Sequence, residues 1–231
     1  DWDKIIAQTE IHEGIHLAEK QRQAVKEAMT NGLLIITGGP GTGKTTTIRT
    51  MLEIFQQREE KVLLAAPTGR AAKRMNEATG LPAQTIHRLL GTSFLAEDSR
   101  SQRFEKHEQD PLHADVIVVD EMSMVDILLW NSFLKAVTPG TRLVLVGDVD
   151  QLPSVGPGNV LKDLIRSGVA PVVSLNEIFR QAKESAIITN AHLINEGKAP
   201  VLNDKTKDFF FVHRSRTEDA AEEVIRLIQK R

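Results

Sequence analysis

Between Leu33 and Phe55 one continuous pattern constrains the chain. An apolar run, Leu33-Leu34-Ile35-Ile36, leads into Gly38-Gly39-Pro40-Gly41-Thr42-Gly43-Lys44-Thr45, and Thr46-Thr47-Ile48 then opens a stretch of helical character. A short apolar run closed by glycines reads as a buried strand, and the eight residues after it match G-x-x-x-x-G-K-[ST], a strand-to-helix turn. Glycines at this density let successive backbone N–H groups turn inward onto phosphate oxygens, and the helix start adds its partial positive charge to the same place. Lys44 has the reach for the outer phosphates, and the Thr45 hydroxyl is placed for Mg²⁺. The expected ligand is a nucleoside triphosphate, held by Gly38, Gly39, Pro40, Gly41, Thr42, Gly43, Lys44, Thr45 and Thr46.

The rest of the chain supplies the scaffold such a turn requires. Val62-Leu63-Leu64-Ala65-Ala66, Val116-Ile117-Val118-Val119, Arg142-Leu143-Val144-Leu145-Val146 and Pro171-Val172-Val173-Ser174-Leu175 are further buried-strand candidates, separated by helical stretches. That alternation predicts an α/β fold, a parallel sheet with helices on both faces. Ahead of it, Ile15 to Met29 has surface-helix spacing and is stopped at Asn31-Gly32, so residues 1–30 read as a lead-in helix. Residues 94–113 lose apolar period and read as an exposed excursion. The sheet domain is expected over 31–200. Pro200 to Asp208 reads as a polar linker, and 201–231, with Phe209 to Phe211 as a buried strand and Glu218 to Gln229 as an amphipathic helix, as the incomplete start of a second domain. The chain opens on Asp1, so an upstream segment is expected.

Composition narrows the setting. With no cysteine among 231 residues, neither a disulfide framework nor a thiolate zinc site is available, and a reducing, cytoplasmic location is expected. No apolar run reaches membrane-spanning length. Lys and Arg number 29 against 31 Asp and Glu, a net charge of -2, which argues against coating nucleic acid by bulk charge and leaves a local basic groove open.

A second half of the nucleotide site follows from Val116 to Glu121. A buried strand that ends on two carboxylates presents them at its C-terminal edge, beside the phosphate loop. Asp120 is expected to hold Mg²⁺, and Glu121, leaving the strand in another direction, to polarise the attacking water as general base. After the next strand, Gly147-Asp148-Val149-Asp150-Gln151-Leu152-Pro153 reaches the same edge, where Gln151 can orient water or sense the terminal phosphate. In the helix beyond Glu121, Leu128, Leu129, Trp130, Phe133 and Leu134 read as core.

Together these segments resemble the RecD-like DNA helicases of superfamily 1, the branch that moves 5′ to 3′. Gln21 with Ala24-Val25 is similar to the glutamine motif that contacts adenine in that family, and Gly38 to Thr45 to its first motif. Ala66-Pro67-Thr68-Gly69-Arg70-Ala71-Ala72 and Gln84-Thr85-Ile86-His87-Arg88-Leu89-Leu90 resemble its DNA-contacting motifs. Asp120 to Met124, Gly147 to Gly158 and Phe179-Arg180-Gln181-Ala182 resemble motifs II, III and IV. The likeness spans about residues 15 to 200. It implies a P-loop NTPase of RecA-like fold, ATP and Mg²⁺ as cofactors, and Lys44, Glu121, Gln151 and Arg180 as the catalytic set, with Arg180 reaching the terminal phosphate. It also implies single-stranded DNA and duplex junctions as partners. The motifs that the family places on its second motor domain have no counterpart here, so the isolated chain, expected to be a monomer, should bind nucleotide and turn it over weakly.

A groove for single-stranded DNA is implied at Pro67, Thr68, Gly69, Arg70, Lys73, Thr85 and His87. Aromatics make up 4% of the chain and tyrosine is absent, so backbone contacts with steep salt dependence are expected over base stacking. Competing readings are a RecD-type subunit of a recombination exonuclease complex or the helicase part of a conjugative relaxase, which share the motor motifs, and a regulatory nucleotide switch without motor action; an intact base at Glu121 and an arginine at 180 argue against the switch.

Overall fold

The computed structural model describes residues 1–91, 104–179, 184–202 and 208–229. Six strands, β1 (Leu33–Thr37), β2 (Val62–Ala66), β3 (Ala83–Thr85), β4 (Val116–Val119), β5 (Arg142–Gly147) and β6 (Val172–Ser174), form one sheet in the order β3-β2-β4-β5-β1-β6. Every pairing is parallel, with Leu33 opposite Leu143, Thr37 opposite Gly147, Val119 opposite Leu145 and Ile36 opposite Val173. The strand leading into the phosphate loop therefore lies inside the sheet. Its chain-order successor β2 lies beyond β5 and β4, so connections diverge at the carboxyl edge and open a crevice there.

Alternation along the strands divides the core in two. Leu34, Ile36, Val116, Val118, Val144 and Val146 face one side, where α1 (Trp2–Glu13), α2 (Glu19–Thr30), α3 (Lys44–Gln57) and α4 (Gly69–Thr79) supply Ile6, Val25, Ile48, Phe55 and Met75. Ile35, Ile117, Val119, Leu143 and Leu145 face the other, against α5 (Ile86–Leu90), α6 (Ile127–Ala136) and α7 (Val160–Ser167), with Leu90, Phe133 and Leu161 buried among them. Strands apolar on both faces are what a doubly covered parallel sheet demands.

Several local expectations are corrected. The lead-in is two helices, because Gly14 ends α1 in the left-handed region at φ 63 and the Glu10 carboxylate accepts from Leu17 N–H at 2.7 Å, holding residues 15–18 out of helix. The stretch 104–113, expected to be an exposed excursion, is anchored at its far end, where Leu112 is buried and its N–H donates to Ala136 C=O. Within α6, Leu129, Trp130, Phe133 and Ala136 are buried, whereas Leu128 and Leu134 lie on the other face, 66% and 43% exposed. The helical period decides between them.

Contacts divide the chain into a unit over Asp1–Phe179 and another over Arg180–Arg231. In the second, α8 (Ala186–Asn195) is capped by Ser185 and by the Asp208 carboxylate, which accepts from Ala186 and Ile187 N–H. Asn190 exchanges two hydrogen bonds with the Val201 backbone. Phe209 to Phe211 do not form the expected buried strand, since no strand among the described residues pairs with them, and Phe210 and Phe211 are exposed. In α9 (Thr217–Gln229) no residue is buried.

Candidate functional site

The phosphate loop runs from the end of β1 to the first turn of α3. Gly41 and Gly43 take φ 73 and 81, left-handed values that other residues adopt at a cost. Thr42 is buried, and its hydroxyl donates to Gly39 C=O at 2.8 Å. Lys44 Nζ donates to Gly38 C=O at 2.6 Å and Gly39 C=O at 2.9 Å, so its charge sits over the loop and meets only carbonyl dipoles there. Thr45 is exposed at the start of α3, with Thr46 behind it. An ammonium at a helix N-terminus beside the loop backbone is a donor set that fits a polyphosphate.

The loop is braced from three directions. Gly38 N–H donates to Gly147 C=O, and Val149 N–H approaches the Thr37 hydroxyl, which ties it to the segment after β5. An added Cβ at Gly38 would lie 2.8 Å from Leu175 C=O, so the segment after β6 closes on it as well. Gln21, reaching from α2, donates to Gly43 C=O.

Asp120 leaves the end of β4 at the same edge. Burial pushes its carboxyl up to about 6, and the neighbouring Glu121 carboxylate adds to that rise. The Glu121 N–H, donated at 2.8 Å, and the Lys44 and Arg74 charges pull the other way. Lys44 and Asp120 are thus within electrostatic reach, and a divalent cation would supply the charge that Asp120 lacks. Glu121 adopts φ 54, the left-handed region, uncommon outside glycine. Two residues on, Ser123 Oγ is buried with no hydrogen-bond partner among the described residues. Gln151 is exposed in the segment after β5, where its N–H donates to Asp148 C=O. Arg180 lies outside the described residues.

On the other side of the Asp120 edge runs a groove of about 690 Å³, lined by Pro67, Thr68, His87, Phe104, Met124, Leu128 and the Pro153 to Gly156 segment among others. Three of the seven expected DNA residues line it: Pro67, Thr68 and His87. Gly69, Arg70 and Lys73 are exposed on the first turns of α4 next to it, and Lys73 pairs loosely with Glu77. Thr68 and Thr85 both serve as N-caps, their hydroxyl oxygens accepting from Ala71 and Arg88 N–H. His87 lies 5.8 Å from the Phe104 ring, a tilted aromatic pair. Among the described residues no Lys or Arg lines the groove.

Phe104, Phe179, Arg74 and Ser123 were not singled out by the sequence. Phe104 sits in a stretch without periodicity, and the reach of Arg74 to Asp120 depends on the sheet order. Ser123 and Phe179 lay inside recognisable motifs, but nothing in residue type marked them.

The family described as "AAA domain" matches residues 21–157. The ATP-dependent RecD2 DNA helicase of Deinococcus radiodurans is 41% identical over 189 residues, covering 82% of this chain and 25% of that protein. The RecBCD enzyme subunit RecD of Mycolicibacterium smegmatis is 39% identical over 233 residues, 90% of this chain and 41% of its own. The chain thus spans between a quarter and about two fifths of these relatives. Among solved structures, Pif1 helicase from Candida albicans superposes with a TM-score of 0.56 at 23% identity, over 80% of this chain and 45% of that one. The Bacteroides Pif1 complex with ADP-AlF3 and ssDNA gives 0.55 at 20% identity, over 91% of this chain and 56% of that one. At these identities the structures speak to the fold alone.

Proposed function

The chain belongs to the AAA domain family, and we propose that it is the first motor domain of a RecD-like, ATP-driven DNA helicase moving 5′ to 3′ on single strands. The observation that carries the reading is the shared carboxyl edge of β1 and β4, where the Lys44 charge reaches Asp120. In this reading the loop amides and Lys44 hold the phosphates, Thr45 and Asp120 hold Mg²⁺, and Glu121 takes the proton of the attacking water. Gln151 orients that water, and Arg180 reaches the terminal phosphate. Mg²⁺, when bound, neutralises charge between the phosphate oxygens.

The strand is proposed to lie in the groove between α4 and the Pro153 to Gly156 segment, against Pro67, Thr68, Gly69, Arg70, Lys73, Thr85 and His87. The motor domain is proposed to cover 31–200, and 201–231 to begin a second one. No helix among the described residues is long and apolar enough to cross a membrane, and a cytoplasmic monomer is proposed. The RecD identity of 39% favours a second reading, a subunit of a recombination exonuclease complex sharing the same motor.

The test is ATP hydrolysis by the intact protein with and without single-stranded DNA, then unwinding of duplexes with a 5′ or a 3′ tail. Lys44→Ala should remove nucleotide binding, and Glu121→Gln should keep binding while removing turnover. Hydrolysis indifferent to DNA, or wild-type turnover in Glu121→Gln, would overturn the proposal.

A further inference from the structure

Asp126 is the one carboxylate among the described residues that line the groove, a charge of the wrong sign for a phosphodiester strand. Both of its oxygens are engaged within the fold. Oδ1 accepts from Leu129 N–H at 2.8 Å and caps α6, while Oδ2 packs against the backbone of Gly156. A Cβ on Gly156 would overlap that oxygen and lie 2.7 Å from Asp126 Cγ and 2.8 Å from Asp126 Cβ. Gly156 is outside the left-handed region, so it is the space filled by Asp126, and not the backbone conformation, that calls for glycine there.

The contact continues past Gly156. Pro157 C=O accepts from Ile127 N–H at 2.9 Å, and a Cβ on Gly158 would stand 3.1 Å from Ile127 Cβ. Within the wall the Ser154 hydroxyl lies 3.1 Å from Gly156 C=O and 3.3 Å from Gly158 C=O, which gathers residues 154–158 into one turn resting on the start of α6. Val155, inside that turn, is exposed and lines the groove. The first residues of α6 therefore fix where this wall stands.

We propose that Asp126 is a positioning residue for the strand groove: it sets how far the Pro153 to Gly156 wall stands from the Pro67-Thr68 wall. The inference rests on the groove being the seat of single-stranded DNA. The side chain serves as helix cap and spacer at once, which accounts for a carboxylate at this place.

The test measures binding of a fluorescent oligothymidylate by anisotropy in the intact protein, for wild type, Gly156→Ala, Asp126→Gly and the double variant, each below its own melting transition. Glycine is tolerated at a helix N-cap, and it removes the three atoms that a Gly156 Cβ would meet first. Gly156→Ala, which drives the wall off its support, should lower affinity about tenfold, and Asp126→Gly about threefold by leaving the wall loose. In the double variant the new methyl takes room that Asp126 has vacated, so the loss should be no greater than in Asp126→Gly alone. Losses that multiply, to about thirtyfold in the double variant, overturn the inference, because the two residues then act apart. Unchanged affinity in Gly156→Ala overturns it too. Wild-type protein that binds no strand sinks the groove reading itself, a result distinct from either. If Gly156→Ala does not fold, Asp126→Gly decides alone, and wild-type affinity in that variant rules the positioning role out.

Discussion

At Asp120 the demands of folding and of chemistry oppose each other. Its carboxyl, near 6 in the folded protein against 3.8 for an ordinary Asp, is held protonated more tightly in the fold than in the open chain. Its contribution therefore favours folding at low pH, declines as pH rises through about 4 to 6, and leaves a constant deficit above that, at most about 3 kcal/mol. Asp120→Asn should raise the melting temperature of the ligand-free protein at pH 8, converge with wild type near pH 4, and lose the extra stabilisation by Mg²⁺-ATP. A melting temperature unchanged at pH 8 would show that the charge is not penalised. Glu121 holds a similar tension in its backbone, with φ 54. Glu121→Gly should leave thermal stability equal or higher, by about 1 kcal/mol, while abolishing turnover. The two carboxylates were legible because a strand ended on them. The kink at Glu121 was not, because residue type does not encode a strained φ that tertiary packing imposes.

Among the elements, the strands were legible where the sheet is buried on both faces, because an unbroken apolar run has few other uses. β3 escaped notice: it is a three-residue edge strand, Ala83–Thr85, and its partner β2 supplies what its own residues do not. Helix α6 shows the limit of reading apolar residues without their phase. Phe133 is fully buried and Leu128 mostly exposed on the same helix. Phe133→Ala should cost about 3–5 kcal/mol in denaturant unfolding. Leu128→Ser should change stability by less than about 0.5 kcal/mol and instead weaken single-stranded DNA binding through the groove it lines. Equal destabilisation by the two substitutions would mean that the exposed face of α6 is covered in the intact protein.

For the whole molecule, the placement of the nucleotide edge was legible from the alternation of strands and helices, whereas the character of the neighbouring groove was not. Its walls come from five separate stretches of chain, and only folding reveals that, among the described residues, none of them brings a Lys or Arg to the lining. Single-stranded DNA affinity should therefore fall gently with salt. Removing Arg70 and Lys73 together should flatten the log–log slope by about 1.4, from about 0.7 per phosphate contact. A steep slope that survives both substitutions would locate the strand elsewhere.

The stretch from Gly147 to Gly158 begins against Gly38 and Thr37 and continues into the groove wall at Pro153 to Gly156. In the proposed reading one span of backbone thus answers to two ligands. Thermodynamic reciprocity then fixes the outcome: whatever factor a nucleotide applies to the grip on a strand, the strand must return to the nucleotide.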